Sequence, residues 1–136
     1  MERAEYLKQK YHLEKHPEGG CFAEVYTAPF SHEDRSLMGS IYFLLEGEDI
    51  SHFHQIDCDE IWYHHEGCGL KITMIIDGSV SEAVIGPDDD QLAMVVIPKA
   101  PFLQQKTFIR VVSVLCLVQQ LLSLLMMDSD LSWIKR

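Results

Sequence analysis

Basic side chains are scarce in this chain. Only 11 Lys and Arg stand against 21 Asp and Glu, a formal net charge of −10 over 136 residues. That field repels phosphate backbones and anionic headgroups, so neither nucleic acid nor a membrane surface is an expected partner. Cysteine is sparse as well: Cys21, Cys58, Cys68 and Cys116 contain no C-x-x-C pair. The polar start Met1-Glu2-Arg3 does not look like a secretory leader, so the thiols are expected reduced, in the cytosol. Cys58 and Cys68 flank an acidic, histidine-rich stretch, which leaves a zinc role open beside the plainer reading of buried or half-buried thiols. There is no length for a second domain either, since 136 residues suit one domain with one modest core.

What the chain does contain is a series of short apolar strands punctuated by turns. Residues 3–12 are rich in helix formers and place Ala4, Leu7 and Tyr11 at helical spacing, so a short amphipathic helix is expected at the front. Pro17 and Gly19-Gly20 are expected to stop it. A strand over 21–27 follows, with Phe22, Glu24 and Tyr26 on one face. Pro29 to Arg35 reads as a polar loop crossing between sheets. Strands are expected over 40–45, from Ile50, from Glu60, over 70–76, over 79–85 and over 92–97, with Asp77-Gly78 as a tight hairpin turn. Seven strands and one helix argue for an all-β sandwich or barrel.

The chemistry is concentrated between Gly39 and Gly67, where four His, four Glu, three Asp, a Trp and a Cys lie among apolar strands. By alternation, His52 and His54 share one face, and Glu60, Trp62 and His64 share another, with His65 pointing away. His52-Phe53-His54, then Glu60, then Gly67 resembles the first cupin motif, although Gly47 stands one residue too close and Glu60 one too far. The phrases Ile41-Tyr42-Phe43-Leu44-Leu45, Ser51-x-Phe53-His54 and Asp59-Glu60-Ile61-Trp62 resemble one branch, the small single-domain cupins of unknown function related to the rhamnose-pathway sugar epimerases. Leu13-x-x-His16-Pro17-Glu18-Gly19-Gly20-x-Phe22-x-Glu24-x-Tyr26 resembles the opening signature of that branch. The likeness runs over roughly residues 10–99. It implies a cupin jelly-roll β-barrel with a short N-terminal helix.

The second cupin motif is broken. After Pro98-Lys99, Ala100 replaces the expected Gly, Leu103 stands at the His position and Thr107 at the Asn position, so the fourth metal ligand of the family is missing. Beyond Lys99 the family pattern gives way to an uncharged run from Val111 to Met127. A membrane helix is one account, opposed by Gln119-Gln120 at its centre. A change of exon or reading frame after Lys99 is the other. Loss of one nucleotide would turn Lys-Gly-Thr-Ile-Phe-Ala-Ala into Lys-Ala-Pro-Phe-Leu-Gln-Gln, which is what Lys99 to Gln105 reads. Residues 1–136 are thus expected to form a single cupin domain whose segment 100–136 is an atypical tail.

What the resemblance implies for function is a small polar, sugar-like molecule in the barrel, with isomerase or epimerase chemistry. The expected proton-transfer residues are His54, held by Glu60 or Asp57, and Tyr26 or His64 on the opposite side. Expected ligand contacts are Glu24, Ser51, Phe53, Asp59 and Trp62, with a solvated edge-strand Glu24 left open. Two alternatives stand beside this. One is a non-catalytic binding or sensing module. The other is a metal-dependent enzyme using His52, His54 and Glu60 to hold a divalent ion, not favoured because the spacing is off and the second-motif His is absent. A homodimer is the expected assembly, since sheet edges and apolar faces need covering.

Overall fold

Side chains that alternate at period two must be sorted between two faces, and the sheets do that sorting. The computed structural model describes residues 2–99 and the strands over 107–112 and 115–123. The helix α1 (Arg3–Tyr11) leads into β1 (Glu14–Lys15), β2 (Cys21–Thr27), β3 (Ser31–His32), β4 (Arg35–Ser36) and β5 (Met38–Glu46). Then come β6 (Ile50–Ile56), β7 (Asp59–Gly67), β8 (Leu70–Ile76), β9 (Ser79–Ile85), β10 (Met94–Ile97), β11 (Thr107–Val112) and β12 (Leu115–Ser123). A six-stranded sheet, β1-β2-β5-β12-β7-β10, faces a four-stranded one, β6-β11-β8-β9, in an antiparallel jelly roll. Among the described residues no helix is long and apolar enough to cross a membrane.

The core lies between the sheets. Phe43 and Leu45 of β5, Trp62 of β7 and Ile97 of β10 meet Ile56 of β6, Leu70, Ile72 and Met74 of β8, and Ile85 of β9. Each fully buried aliphatic side chain contributes about 1.5–3 kcal/mol. A second cluster joins Leu7 of α1 to Leu44 on the outer face of the large sheet. Strand β5 is therefore covered on both sides, which explains its unbroken apolar run.

Two local features differ from the sequence expectation, and a third sharpens it. α1 stops at His12, which takes a left-handed conformation and donates its N–H to Gln9 and Lys8 carbonyls, before Pro17 is reached. The stretch Pro29–Arg35 does not cross between sheets. It carries the β3–β4 hairpin, with Glu33 and Asp34 both at positive φ as a primed two-residue turn requires, and returns the chain to pair β2 with β5. The third feature is the turn His16–Gly20. Gly19 sits at φ +110° with the Ile50 carbonyl oxygen only 2.0 Å from where a Cβ would lie, and Gly20 at φ +76° with the Leu44 carbonyl oxygen at 2.8 Å. Only glycine fits there.

The two kinds of glycine should separate in a denaturation experiment. Gly78, at φ +81° with open space around it, carries the backbone conformation alone. Gly78→Ala is expected to cost about 1 kcal/mol, while Gly19→Ala, which adds a backbone clash, should cost roughly 3 kcal/mol or more; urea unfolding midpoints measure both.

Candidate functional site

A cavity of about 220 Å³ opens between the sheets beside the core. Four of its lining side chains come from the large sheet: Ile41 and Phe43 from β5, Glu60 and Trp62 from β7. In each pair the residues are two apart, so each pair shares the inward face. The small sheet supplies Ser51 and His54 from β6. The turn before β2 supplies His16 and Glu18.

Ser51 and His54 are three residues apart and would lie on opposite faces of a regular strand. They face the same cavity because β6 is bulged. His54 pairs with Ile109 and Ser51 with Val111, so one extra residue of β6 is accommodated between them. That changes the expected parity: His52 is exposed and does not join His54, because the bulge intervenes. The His52 backbone instead serves the site. Its N–H donates to the Glu18 carbonyl at 2.9 Å, and its carbonyl accepts a hydrogen bond from His54 Nδ1 at 2.8 Å. With a hydrogen on Nδ1, the neutral His54 ring keeps its lone pair on Nε2.

Glu60 is only 4% exposed. Trp62 Nε1 donates to its Oε2 at 2.9 Å, so one side chain of the inward face orients the next. His16 Nδ1 lies 2.9 Å from Glu18 Oε2 and 3.1 Å from the Glu18 backbone nitrogen, while its ring packs edgewise against Phe22 and Phe43. Burial pushes the His16 pKa below its ordinary 6.5, with Glu18 opposing and His54 assisting.

The remaining sequence candidates lie away from these lining residues. Glu24 and Tyr26 are exposed, Glu24 accepts from the Thr27 hydroxyl, and a register shift at Val25 interrupts the face they were expected to share. Phe53 is exposed on the bulge. Asp59 Oδ1 accepts the Lys99 N–H at 2.7 Å, tying the end of β10 to β7. His64 Nε2 bonds the Gly67 carbonyl at 3.2 Å, beside a second bulge that interrupts β7. His65 is exposed and lies edgewise against Tyr42 on the outer face. Asp57, expected as an alternative holder of His54, is instead exposed and bound by Arg35 at 2.9 and 3.1 Å, which holds its carboxyl below the usual range. His16 and Glu18 were not among the expected site residues, although they stand inside the opening signature quoted above; the signal was the Gly19-Gly20 pair, which marks a backbone pressed against something.

Ligation of a metal by His52, His54 and Glu60 together does not fit the described residues. Among the described residues no group of three or more His, Cys, Asp or Glu side chains could hold a metal ion. The bulge that exposes His52 is the physical reason that His52, His54 and Glu60 do not converge. Cys58 is buried, and burial pushes its thiol up to about 12. Cys116, Leu103 and Ala100 have side chains outside the described residues.

Fold and cavity together define a small cupin-type jelly roll with a polar site inside the barrel. The chain belongs to the family described as Cupin superfamily (DUF985), whose model matches residues 5–119 and so runs past Lys99, where the motif resemblance ended. Among solved structures it is similar to a protein of Shewanella oneidensis, 31% identical, TM-score 0.80, covering 90% of this chain and 78% of that one. A hypothetical protein from Leishmania major is similar over 90% of this chain and 81% of its own, at 21% identity and TM-score 0.78. Bacillus subtilis oxalate decarboxylase, whose Mn(II) centres have been studied, shares the fold at 17% identity and TM-score 0.57, over 82% of this chain and 27% of that one. No curated protein matches the chain closely enough to add a function.

The half-buried His16 ring gives a pH dependence of definite sign. The unfolded chain takes up a proton near 6.5, but the fold holds the ring neutral to a lower pH. Stability from this group is therefore complete above 6.5 and is lost as pH falls from there through the folded pKa. Replacing His16 by Gln should flatten the acid side of a stability-versus-pH curve measured by denaturant unfolding.

Proposed function

We propose that the cavity binds a small polar, sugar-like molecule and that His54 and Glu60 transfer protons on it, in isomerase or epimerase chemistry. The observation that carries this reading is the convergence of an imidazole and a buried carboxyl group in one cavity, reached through the bulge in β6. At about 220 Å³ the space is below the roughly 300–1,000 Å³ of drug-sized pockets, which suits a compact ligand. Ile41, Phe43 and Trp62 offer it an apolar wall, and Ser51 offers a hydroxyl. His54, with Nδ1–H committed to a backbone carbonyl, presents the lone pair that a general base needs. The reading takes the chain as one domain acting in the cytosol.

The test starts from the molecule that co-purifies with the protein, identified by mass spectrometry. His54→Ala and Glu60→Gln should each lower its turnover by about 10²–10⁴-fold while binding is retained. A loss of binding in proportion to any change in turnover would make the protein a receptor and remove the catalytic half of the reading.

A homodimer is part of the same proposal. Edge strands β9 and β10 expose Val80, Met94 and Val96, and a partner sheet would cover them. Light scattering at micromolar concentration should give twice the monomer mass; the monomer mass would refute the pairing.

A further inference from the structure

The His16–Gly20 turn is built to put two side chains into the cavity. Its backbone closes on itself through His16 N–H to the Gly20 carbonyl at 2.9 Å and Gly19 N–H to the His16 carbonyl at 3.0 Å. It is then tied to β6 by the His52 N–H on the Glu18 carbonyl at 2.9 Å. The two glycines press it against β6 on one side and β5 on the other, where a side chain would collide with backbone. These contacts fix the backbone from which the Glu18 side chain projects. The turn brings a second carboxyl group to a cavity that already has Glu60.

No Lys or Arg stands among the described lining residues. Arg3, Lys8, Arg35 and Lys71 are paired elsewhere, with Glu66, Glu46, Asp57 and Glu82. Burial lowers the pKa of the imidazole beside Glu18, which disfavours a positive charge there. A phosphate or carboxylate entering here would give up its hydration for two carboxyl groups and, among the described residues, no cation, inside a chain of net charge −10. An ammonium group would meet the opposite situation, with charge-assisted acceptors on two sides.

We infer that the His16–Gly20 turn makes the cavity a charge filter, in which Glu18 recognises the protonated amine of a small polyhydroxyl ligand and, with Glu60 beside it, rejects anionic counterparts. The inference rests on the reading of the cavity as a ligand site and adds the charge class of the ligand. Glucosamine, glucose and glucose 6-phosphate share one skeleton and differ in charge, so they serve as probes. Each is titrated into the full-length protein at a pH where the amine is protonated, following the Trp62 indole N–H by NMR.

Glucosamine is expected to bind about tenfold more tightly than glucose, and glucose 6-phosphate to leave the Trp62 resonance unmoved. Glu18→Gln should reduce the glucosamine affinity to that of glucose, and Glu18→Lys should admit the phosphate. Binding of glucose 6-phosphate as tight as that of glucose, or a glucosamine preference that survives Glu18→Gln, overturns the charge filter and leaves the ligand cavity standing. Silence of Trp62 towards all three probes overturns the sugar-sized ligand reading itself, and the filter with it.

Discussion

Between Ser51 and His54 the ladder from β6 to β11 accommodates one extra residue, and the composition of the cavity follows from that insertion. Without it, His54 would share its face with His52, and Ser51 would turn to the other side. With it, a hydroxyl and an imidazole enter together while the intervening His52 contributes only backbone. Its carbonyl orients His54, and its N–H anchors the turn that carries Glu18. Two walls of the cavity thus hang on a single irregular peptide segment. The same irregularity removes the His-x-His pair from service as a metal clamp.

The opposite wall is regular. Ile41 and Phe43, and Glu60 and Trp62, project inward because their strands alternate without a break at those positions, and the Trp62 indole holds the Glu60 carboxyl. Electrostatics divide along the same line. The exposed ion pairs, Arg3 with Glu66, Arg35 with Asp57 and Lys71 with Glu82, sit where water screens them and contribute little to stability. No Lys or Arg stands among the described residues that line the cavity of this acidic chain.

How far this was legible in the sequence depends on whether local pattern or pairing decided the outcome. Strands β8 and β9 and the Asp77-Gly78 turn fall where alternation and turn chemistry placed them, and α1 differs from its expected span by a residue at its end. Trp62, Glu60, Ser51 and His54 could be picked out because they stand in recognisable phrases. The bulges at Val25, in β6 and in β7 could not, since an extra residue exists only relative to a partner strand distant in sequence. The β3–β4 hairpin was hidden for a different reason: its positive-φ residues are Glu33 and Asp34, with no glycine to signal them. His16 and Glu18 were in view as part of a signature, but their purpose depends on which backbone the two glycines touch. The uncharged run after Val111 looked foreign by motif, yet residues 107–112 and 115–123 take interior positions in the two sheets.

In the large sheet, β12 lies between β5 and β7 and pairs with both. The strands that carry Ile41, Phe43, Glu60 and Trp62 are therefore joined edge to edge only through a segment synthesised some fifty residues after the last of them. On the ribosome, the N-terminal half emerges with its chemistry complete and its architecture open. Two unpaired sheet edges wait for residues 115–123, and the long loop closure this demands makes for slow folding and exposure to wrong pairing meanwhile.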